Sequence, residues 1–579
     1  MQKREVLCHT STPIVYYLER EENGLFVKKI ADKEEKEQIR ECYILDLDTE
    51  EEISYHMVAE FPVCVKTGEK SIEILSDENI EEVKIVRYEG VPHCDILGGR
   101  VSLDFEKGKE FEEAVFQFYW KTLIPSVIER TKAIHYPVKD GYVVSTLQEE
   151  VYAGTYPDVD HEFQIKGRMA VCSNFDLDVV RRMMELQLKL MREDPTHAYR
   201  NPCALQPNGD REYHVRRNSM DRSENAEMFL LTGNIELIES VWLYLSATKD
   251  FEWFKKYRKD LEGVLSLVES CMDTYGGLWS DVYYEDQVIK DGKVCIAAAF
   301  AAESMRKMSV LEEMAGESVQ AQKYLKLAEK LAGALIQNTP EGFWDSEKNR
   351  FTDWIDRNAK VHDHIHLLAN ELPVLFGYAT DFQTEHIDAL IEANLEEFQR
   401  FPSFVSARIQ DYTDDEIGDG GPYDLCAAGR YWCWDFEYWV MKKRADILEE
   451  QLWKVSQQAK VDNYMMGERY DMNHVYYISE KNWHGAERYY EYPCVFIWNL
   501  LHGYLGIKPD LQADLRIEPL LNHDGRVRLD GTNYEVEYAV CGEKLELKNL
   551  ADKARDFVIC WKGKEVRTTL GSDESYYVS

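Results

Sequence analysis

Residues 294–305 read VCIAAAFAAESM, and residues 324–335, a short way on, read YLKLAEKLAGAL. The first stretch is apolar nearly all round, the pattern of a helix packed on several sides. In the second, Tyr324, Leu327, Ala328, Leu331 and Leu335 recur at helical spacing and form one apolar stripe. Together they predict an inner helix followed by an outer one that leans on it.

The pair repeats along the chain. Inner-type segments begin near Asp221, Lys293, His362, Tyr423 and Glu491, roughly 60 to 70 residues apart. Amphipathic stretches at 251–270, 321–337, 384–399 and 446–460 lie between them. With residues 176–193 and one earlier segment, this makes about six helical hairpins. Pseudo-repeats of this kind, closing on themselves, predict an (α/α)6 barrel over residues 161–506. A simple bundle or an open solenoid is the alternative.

The flanks read differently. Residues 1–108 hold short apolar-polar alternations such as PIVYYLE, GLFVKKI and ECYILDL, broken by Glu, Asp, Gly and Lys clusters. That rhythm predicts an N-terminal antiparallel β-sandwich. Residues 109–160 read as a linker that contains a charged helix. From 507 to 579, RVRLDG, NYEVEYAV, KLELKNL and DFVICWKG predict a small C-terminal β domain. The expected fold class is multidomain α+β.

Composition narrows the function. Acidic residues outnumber basic ones, 106 to 68, for a formal net charge of -38. Such a field repels nucleic acid and anionic membrane surfaces, so neither is expected as a partner. No signal-peptide core and no apolar run long enough to span a bilayer is found. The thirteen cysteines are odd in number, scattered, and include no CxxC pair. They read as reduced thiols in a cytoplasmic protein rather than as a disulfide framework or zinc site. P-loop, GxGxxG, GxSxG and HExxH patterns are absent, which removes the usual signals for nucleotide hydrolysis, Rossmann redox chemistry and esterolysis. No cofactor and no metal is expected. A second copy of the chain could pack on the N-terminal strands.

In a toroid of helices, the loops that precede the inner helices line the mouth of one cavity. Five such segments carry candidates. YGGLWSDVYYEDQVIKDG (275–292) holds Trp279, Asp281 and Glu285. A carboxyl group flanked by aromatics is partly desolvated, which suits a general acid; the plainer alternative is a solvated acidic turn. YMMGERYDMN (464–473) holds Glu468, and SEKNWHGAERYYEYP (479–493) holds Trp483, His484 and Glu487. Arg469 beside Glu468 favours the ionised form, as a base requires, unless the two form only a loop ion pair. Glu487 is the second candidate base. FTDWIDRNAKVHDHIHLLANE (351–371) holds Asp356, Arg357, His362 and His364, suited to binding sugar hydroxyls or to capping a helix. Residues 414–439 add a Gly-rich turn with Asp424 and Trp434. Trp and Tyr faces are platforms for the C–H faces of sugars. Two carboxylates about 6.5 to 9.5 Å apart across a sugar would cleave a glycosidic bond with inversion.

Several of these stretches resemble the superfamily of (α/α)6-barrel glycosidases and phosphorylases, which includes glucoamylases, α-L-rhamnosidases and maltose- and cellobiose-type phosphorylases. SMDRSENAEMFLLTGN (219–234) and LYLSATKDFEWF (243–254) are similar to the helix ends of those barrels. GGLWSD (276–281) resembles the glucoamylase-like loop that supplies the acid, and GERYD (467–471) the rhamnosidase-type loop that carries the base. LLHGYLGIKPDLQADLRIEPLL (500–521) resembles the exit from the last helix into the C-terminal strands. The resemblance implies Asp281 as acid and Glu468 as base. Ser280 and Asp281 stand where glucoamylases place two glutamates, which leaves Glu285 open as the acid, with Asp210 and Asp221 in reserve. The expectation is an inverting glycoside hydrolase acting on a short oligosaccharide or glycoside. A phosphorylase of the same architecture is the nearest alternative; a sugar epimerase or isomerase and a non-catalytic sugar-binding protein are further ones.

Overall fold

The computed structural model describes residues 99–123, 126–128, 161–205, 211–213, 231–280, 288, 290, 292–417, 425–470 and 488–579, together with the strands before residue 99 and two short ones at 142–143 and 156–157. The protein is a mixed α+β chain in which the large sheets flank the helical stretch and short strand pairs lie between the helices.

Among the described residues, twelve α-helices of eight residues or more carry the centre of the molecule. In chain order they are α1 (Gly108–Phe118), α2 (His161–Val171), α3 (Asn174–Arg192), α4 (Leu231–Thr248), α5 (Phe251–Ser270), α6 (Cys295–Met314), α7 (Ser318–Leu335), α8 (Leu367–Leu375), α9 (Asp381–Ala393), α10 (Gly429–Met441), α11 (Ala445–Val461) and α12 (Glu491–Trp498). Each even-numbered helix contacts the next, and α12 contacts α2, so these six close a ring. The odd-numbered helices lie outside it. Burial follows that division: every residue of α2 and α12 is buried, while α7 buries Ala321, Tyr324, Ala328, Leu331, Ala334 and Leu335 along one stripe. Side-chain caps start several outer helices, with Ser173 accepting from Asp176 N–H, Asp250 from Trp253 N–H, and Thr380 closing a capping box with Gln383.

The inner segments expected near Lys293, His362, Tyr423 and Glu491 appear as α6, α8, α10 and α12, each starting within six residues of its expected place. The segment expected near Asp221 is described from Leu231 onward as α4. The inner helix α2 supplies the earlier segment that the sequence left unplaced.

Ahead of the helices, strands between Lys3 and Tyr88 form one eight-stranded antiparallel sheet. Behind them, Ile507–Pro509, Leu515–Ile517, Arg555–Trp561 and Lys564–Leu570 form a four-stranded sheet. A six-stranded sheet is built from Gly525–Asp530, Val536–Cys541, Lys544–Asn549 and Ser575–Val578 with Asp95–Ile96 and Gly99–Asp104. Gly99–Asp104 therefore pairs with Gly525–Asp530, Val101 opposite Leu529 and Leu103 opposite Val527. These strands alternate buried and partly exposed residues, and Val101, Leu103, Val527, Leu529, Val536 and Tyr538 join the core. Among the described residues no helix is long and apolar enough to cross a membrane.

Candidate active site

Short antiparallel pairings stitch together the loops at the N-terminal ends of the inner helices. Lys293–Val294, just before α6, pairs with Trp354–Ile355, which pairs in turn with Val361–His362. His366 bridges Ser406, Phe404 bridges Ala427, and Ala427–Ala428 pairs with Arg469–Tyr470. This ladder brings residues from four hairpins to one end of the ring. All the described sequence candidates except Trp434 lie in these loops.

Glu468 sits at the start of the 469–470 strand and is buried, 7% exposed. Arg469 Nη2 lies 3.2 Å and Arg430 Nη2 3.5 Å from its Oε1. Both guanidiniums are shared with Glu491, which is fully buried at the first position of α12. Arg430 Nε donates to Glu491 Oε1 at 2.9 Å, its backbone N–H donates to Oε2 at 3.2 Å, and Arg469 Nη1 lies 3.8 Å from Oε2. Two carboxylates and two guanidiniums thus form one alternating cluster. Such a cluster is locked, because moving any member leaves a buried charge uncompensated. Tyr470 anchors the same loop: its hydroxyl accepts Gly467 N–H at 2.9 Å and donates to Asp462 at 2.5 Å. Gly429 allows the approach, since a Cβ there would meet Tyr492 N at 2.8 Å.

A second cluster surrounds the 354–362 hairpin. Asp353, fully buried, accepts Lys290 Nζ at 2.7 Å and the Tyr412 hydroxyl at 3.1 Å. His362 stacks on Trp354 with ring centroids 4.1 Å apart, and His364 stacks on Tyr412 at 3.6 Å. Both histidines turn to Glu416: His362 Nδ1 is 2.5 Å from Oε1 and His364 Nε2 is 3.4 Å from Oε2. Burial alone would raise the Glu416 carboxyl, but hydrogen bonds from His362, His364 and Thr413 N–H outweigh it and hold it well below the usual carboxylate range. His366 caps α8 by accepting Ala369 N–H at 3.2 Å. Among the described residues no group of three or more His, Cys, Asp or Glu is placed to hold a metal ion.

The remaining candidates fall in different places. Asp281, Glu285, Glu487, Asp424, Trp483 and His484 lie outside the described residues. Trp279 is half-buried, and its indole N–H donates to Asp273 at 3.0 Å. Asp356 accepts Asn358 N–H at 2.8 Å and Lys360 N–H at 2.9 Å, so it closes the hairpin turn as well as approaching His362 Nε2 at 3.4 Å. Arg357 is exposed at the tip of that turn. Trp434 lies inside the ring, where Lys166 Nζ sits 3.7 Å from the centre of its indole. Sequence reading did not single out Glu416, Lys290 or Arg430. The one available signal was their position in loops or at a helix start that already held candidates.

No protein-family model matches the sequence, and no curated protein matches it. Solved structures do match. The α-L-rhamnosidase of Dictyoglumus thermophilum superposes with a TM-score of 0.51 at 10% identity, over 87% of this chain and 53% of that one. A GH78 family rhamnosidase of Bacillus sp. GL1 gives 0.49 at 12% identity, over 88% and 52%. A putative kojibiose phosphorylase from the human microbiome gives 0.47 at 10%, over 99% and 81%. The chain spans about half the length of the two rhamnosidases, 53% and 52%. At such low identity the likeness is one of fold alone, shared with the Dictyoglumus thermophilum structure.

Proposed function

We propose that this protein cleaves the glycosidic bond of a short oligosaccharide or glycoside inside the cell, by an inverting mechanism in which Glu468 is the general base. In this reading residues 161–506 are the (α/α)6 catalytic barrel, flanked by the N-terminal strands and by a C-terminal β region whose sheet Gly99–Asp104 joins. The carrying observation is the Glu468 carboxylate, buried where the inner helices begin and held by Arg469 and Arg430 at 3.2 and 3.5 Å. A base must be held fixed, and two guanidiniums at these distances fix this carboxylate. The partner acid comes from the 281–285 loop, Asp281 or Glu285. Ser280 N–H donates to Gly292 O at 2.9 Å, so both ends of that loop are pinned beside the start of α6. The acid gives its proton to the leaving oxygen while Glu468 takes one from the water that attacks the anomeric carbon on the opposite face. Glu487 is the substitute base. No metal or cofactor takes part in these steps.

Hydrolysis is favoured over phosphorolysis because Arg430 and Arg469, the guanidiniums nearest the candidate base among the described residues, are already engaged by Glu468 and Glu491. The epimerase reading asks for two histidines on opposite sides of a sugar, whereas His362 and His364 both face Glu416.

The test is product analysis on a panel of short glycosides with and without phosphate, following the anomer by NMR. Free sugar of inverted configuration, independent of phosphate, is expected. Glu468→Gln should lower turnover by about 10²–10⁴-fold with the fold intact. A sugar 1-phosphate, or near-normal turnover in that variant, would overturn the assignment.

A further inference from the structure

The inner helix α6 starts at the loop ladder and ends, at its other tip, in the short turn that leads into α7. Glu317 N–H donates to Glu312 O at 2.8 Å and closes this turn, and Ser309 Oγ donates to Ala321 O at 2.8 Å. The Glu312 side chain is fully buried there. Neither of its carboxylate oxygens has a hydrogen-bond partner among the described residues.

One guanidinium serves three carboxylates at this joint. Arg258 of α5 is paired with Glu317, lies 3.5 Å from Glu262 Oε1, and comes only within 3.7 Å of Glu312 Oε2. Lys259, mostly exposed, takes Glu262 Oε2 at 2.7 Å. From α7 the buried Tyr324 phenol faces the same group, and burial with the fields of Glu262 and Glu312 holds it well above the usual range. Glu269 adds to that field and is itself paired with Lys323 at 2.7 Å. α4 and α8 also pack on α6, but Glu239 of α4 and Tyr378 just past α8 meet Lys307 and Glu303, further back along the helix. A carboxylate shut away from water without hydrogen bonds is costly. Burial first, then Glu262 and Glu317, outweigh Arg258 and Lys259 and push the Glu312 carboxyl up to about 7.

We propose that the joint of α5, α6 and α7 is a proton-operated clasp, tight while Glu312 carries a proton and loosened when it gives the proton up. Protonated, the side chain is uncharged in its buried place, and Arg258 is left to Glu262 and Glu317. Ionised, it sets a third carboxylate on one guanidinium, and the turn opens to bring water to it. Opening returns Glu312 to the ordinary glutamate value of about 4.3, below that of the closed joint. Between the two values the closed form holds more protons than the open one. Its stability therefore falls as pH climbs from about 4.3 to about 7, and the loss is complete above that. The clasp is independent of the proposed cleavage chemistry, which lies at the other end of α6.

Amide hydrogen exchange of the full chain tests it, read over residues 312–321 in the native protein and in Glu312→Gln. Comparison at matched pH cancels the intrinsic exchange chemistry, and glutamine stands in for the protonated acid. The native-to-variant ratio of exchange rates should rise at least about tenfold between pH 5 and pH 8, and level off above about pH 7.5. A ratio that ignores pH, or that falls as pH rises, overturns the proposal. If Glu312→Gln does not fold, Glu317→Gln makes the test at a half-exposed position. It frees Arg258 for Glu312, and should slow exchange of the turn at least about threefold at pH 8 and less at pH 5. Equal exchange of that variant and the native chain at pH 8 would overturn the proposal as well.

Discussion

Glu468 and Glu491 share the same two arginines, yet the same substitution should act on them in opposite ways. Glu491 is wholly buried and takes hydrogen bonds from Arg430 Nε and Nη2. Glu491→Gln leaves the guanidiniums short of charge in a dry site and should cost roughly 3–5 kcal/mol, read by urea unfolding. Glu468 lies 3.2 and 3.5 Å from the same guanidiniums and is not fully enclosed, so Glu468→Gln should cost clearly less stability than Glu491→Gln while removing turnover. Equal destabilisation by the two would show that Glu468 is structural. Glu416 gives a pH test. Its folded-state carboxyl titrates below the unfolded value of about 4.3. The cluster therefore adds stability above that value and loses it as pH falls through the folded one. The melting-temperature gap between the native chain and Glu416→Gln should be widest near pH 7 and shrink below about pH 4. A gap that ignores pH would mean that Glu416 holds no charge-assisted contacts. Glu468 was legible in the sequence because its loop is a local motif. Glu416 and Glu491 were not, because their partners lie 54 and 61 residues away along the chain.

Among the elements, the outer helices were the most legible, since one buried stripe produces a clean period. The inner helix α2 was not. HEFQIKGRMAV holds Glu162, Lys166 and Arg168, which hydropathy places in solvent. All three are buried, with Lys166 3.1 Å from Glu162 and Arg168 2.8 Å from Asp176. Ion pairs made inside a ring are invisible to a periodicity count. The same helix shows how the ring closes. A Cβ on Gly167 would meet Cys494 Cβ at 2.7 Å, so α2 and α12 touch there backbone to backbone. Gly167→Ala should push them apart and cost about 1–3 kcal/mol, seen as a lower melting temperature. Gly333 in α7 is the control: nothing lies within 4 Å of its Cβ position, and Gly333→Ala should stabilise by about 0.4–1 kcal/mol. Equal effects at the two sites would mean that helix propensity, rather than the α2–α12 contact, governs Gly167.

At the scale of the whole molecule, local patterns predicted strands at both ends of the chain but not which strands pair. Gly99–Asp104 and Gly525–Asp530 lie more than 400 residues apart and still form one ladder. The sheet they build also reaches the helices. The His502 imidazole sits 2.9 Å from the Tyr534 hydroxyl, and that hydroxyl donates to the Met169 carbonyl. Asn533 Nδ2 donates to Cys172 O at 2.8 Å, and the Tyr538 hydroxyl donates to Leu505 O at 2.9 Å. These contacts lie at the ends of α2 and α12, the pair that closes the ring. Removing residues 507–579 would strip the partner from Gly99–Asp104, expose Val101 and Leu103, and leave the Met169 and Cys172 carbonyls without these donors. Buried polar groups left unmatched cost about 1–3 kcal/mol each, and a folded chain holds only about 5–15 kcal/mol in reserve. Residues 1–506 expressed alone should therefore be insoluble or melt without cooperativity. A milder lesion separates the contact from the deletion. Tyr534→Phe removes one hydroxyl between His502 and Met169, and should lower the melting temperature of the full chain while leaving it cooperative. If residues 1–506 instead melt cooperatively within a few degrees of the full chain, the C-terminal sheets are an appendage, and the ring closes on α2 and α12 alone.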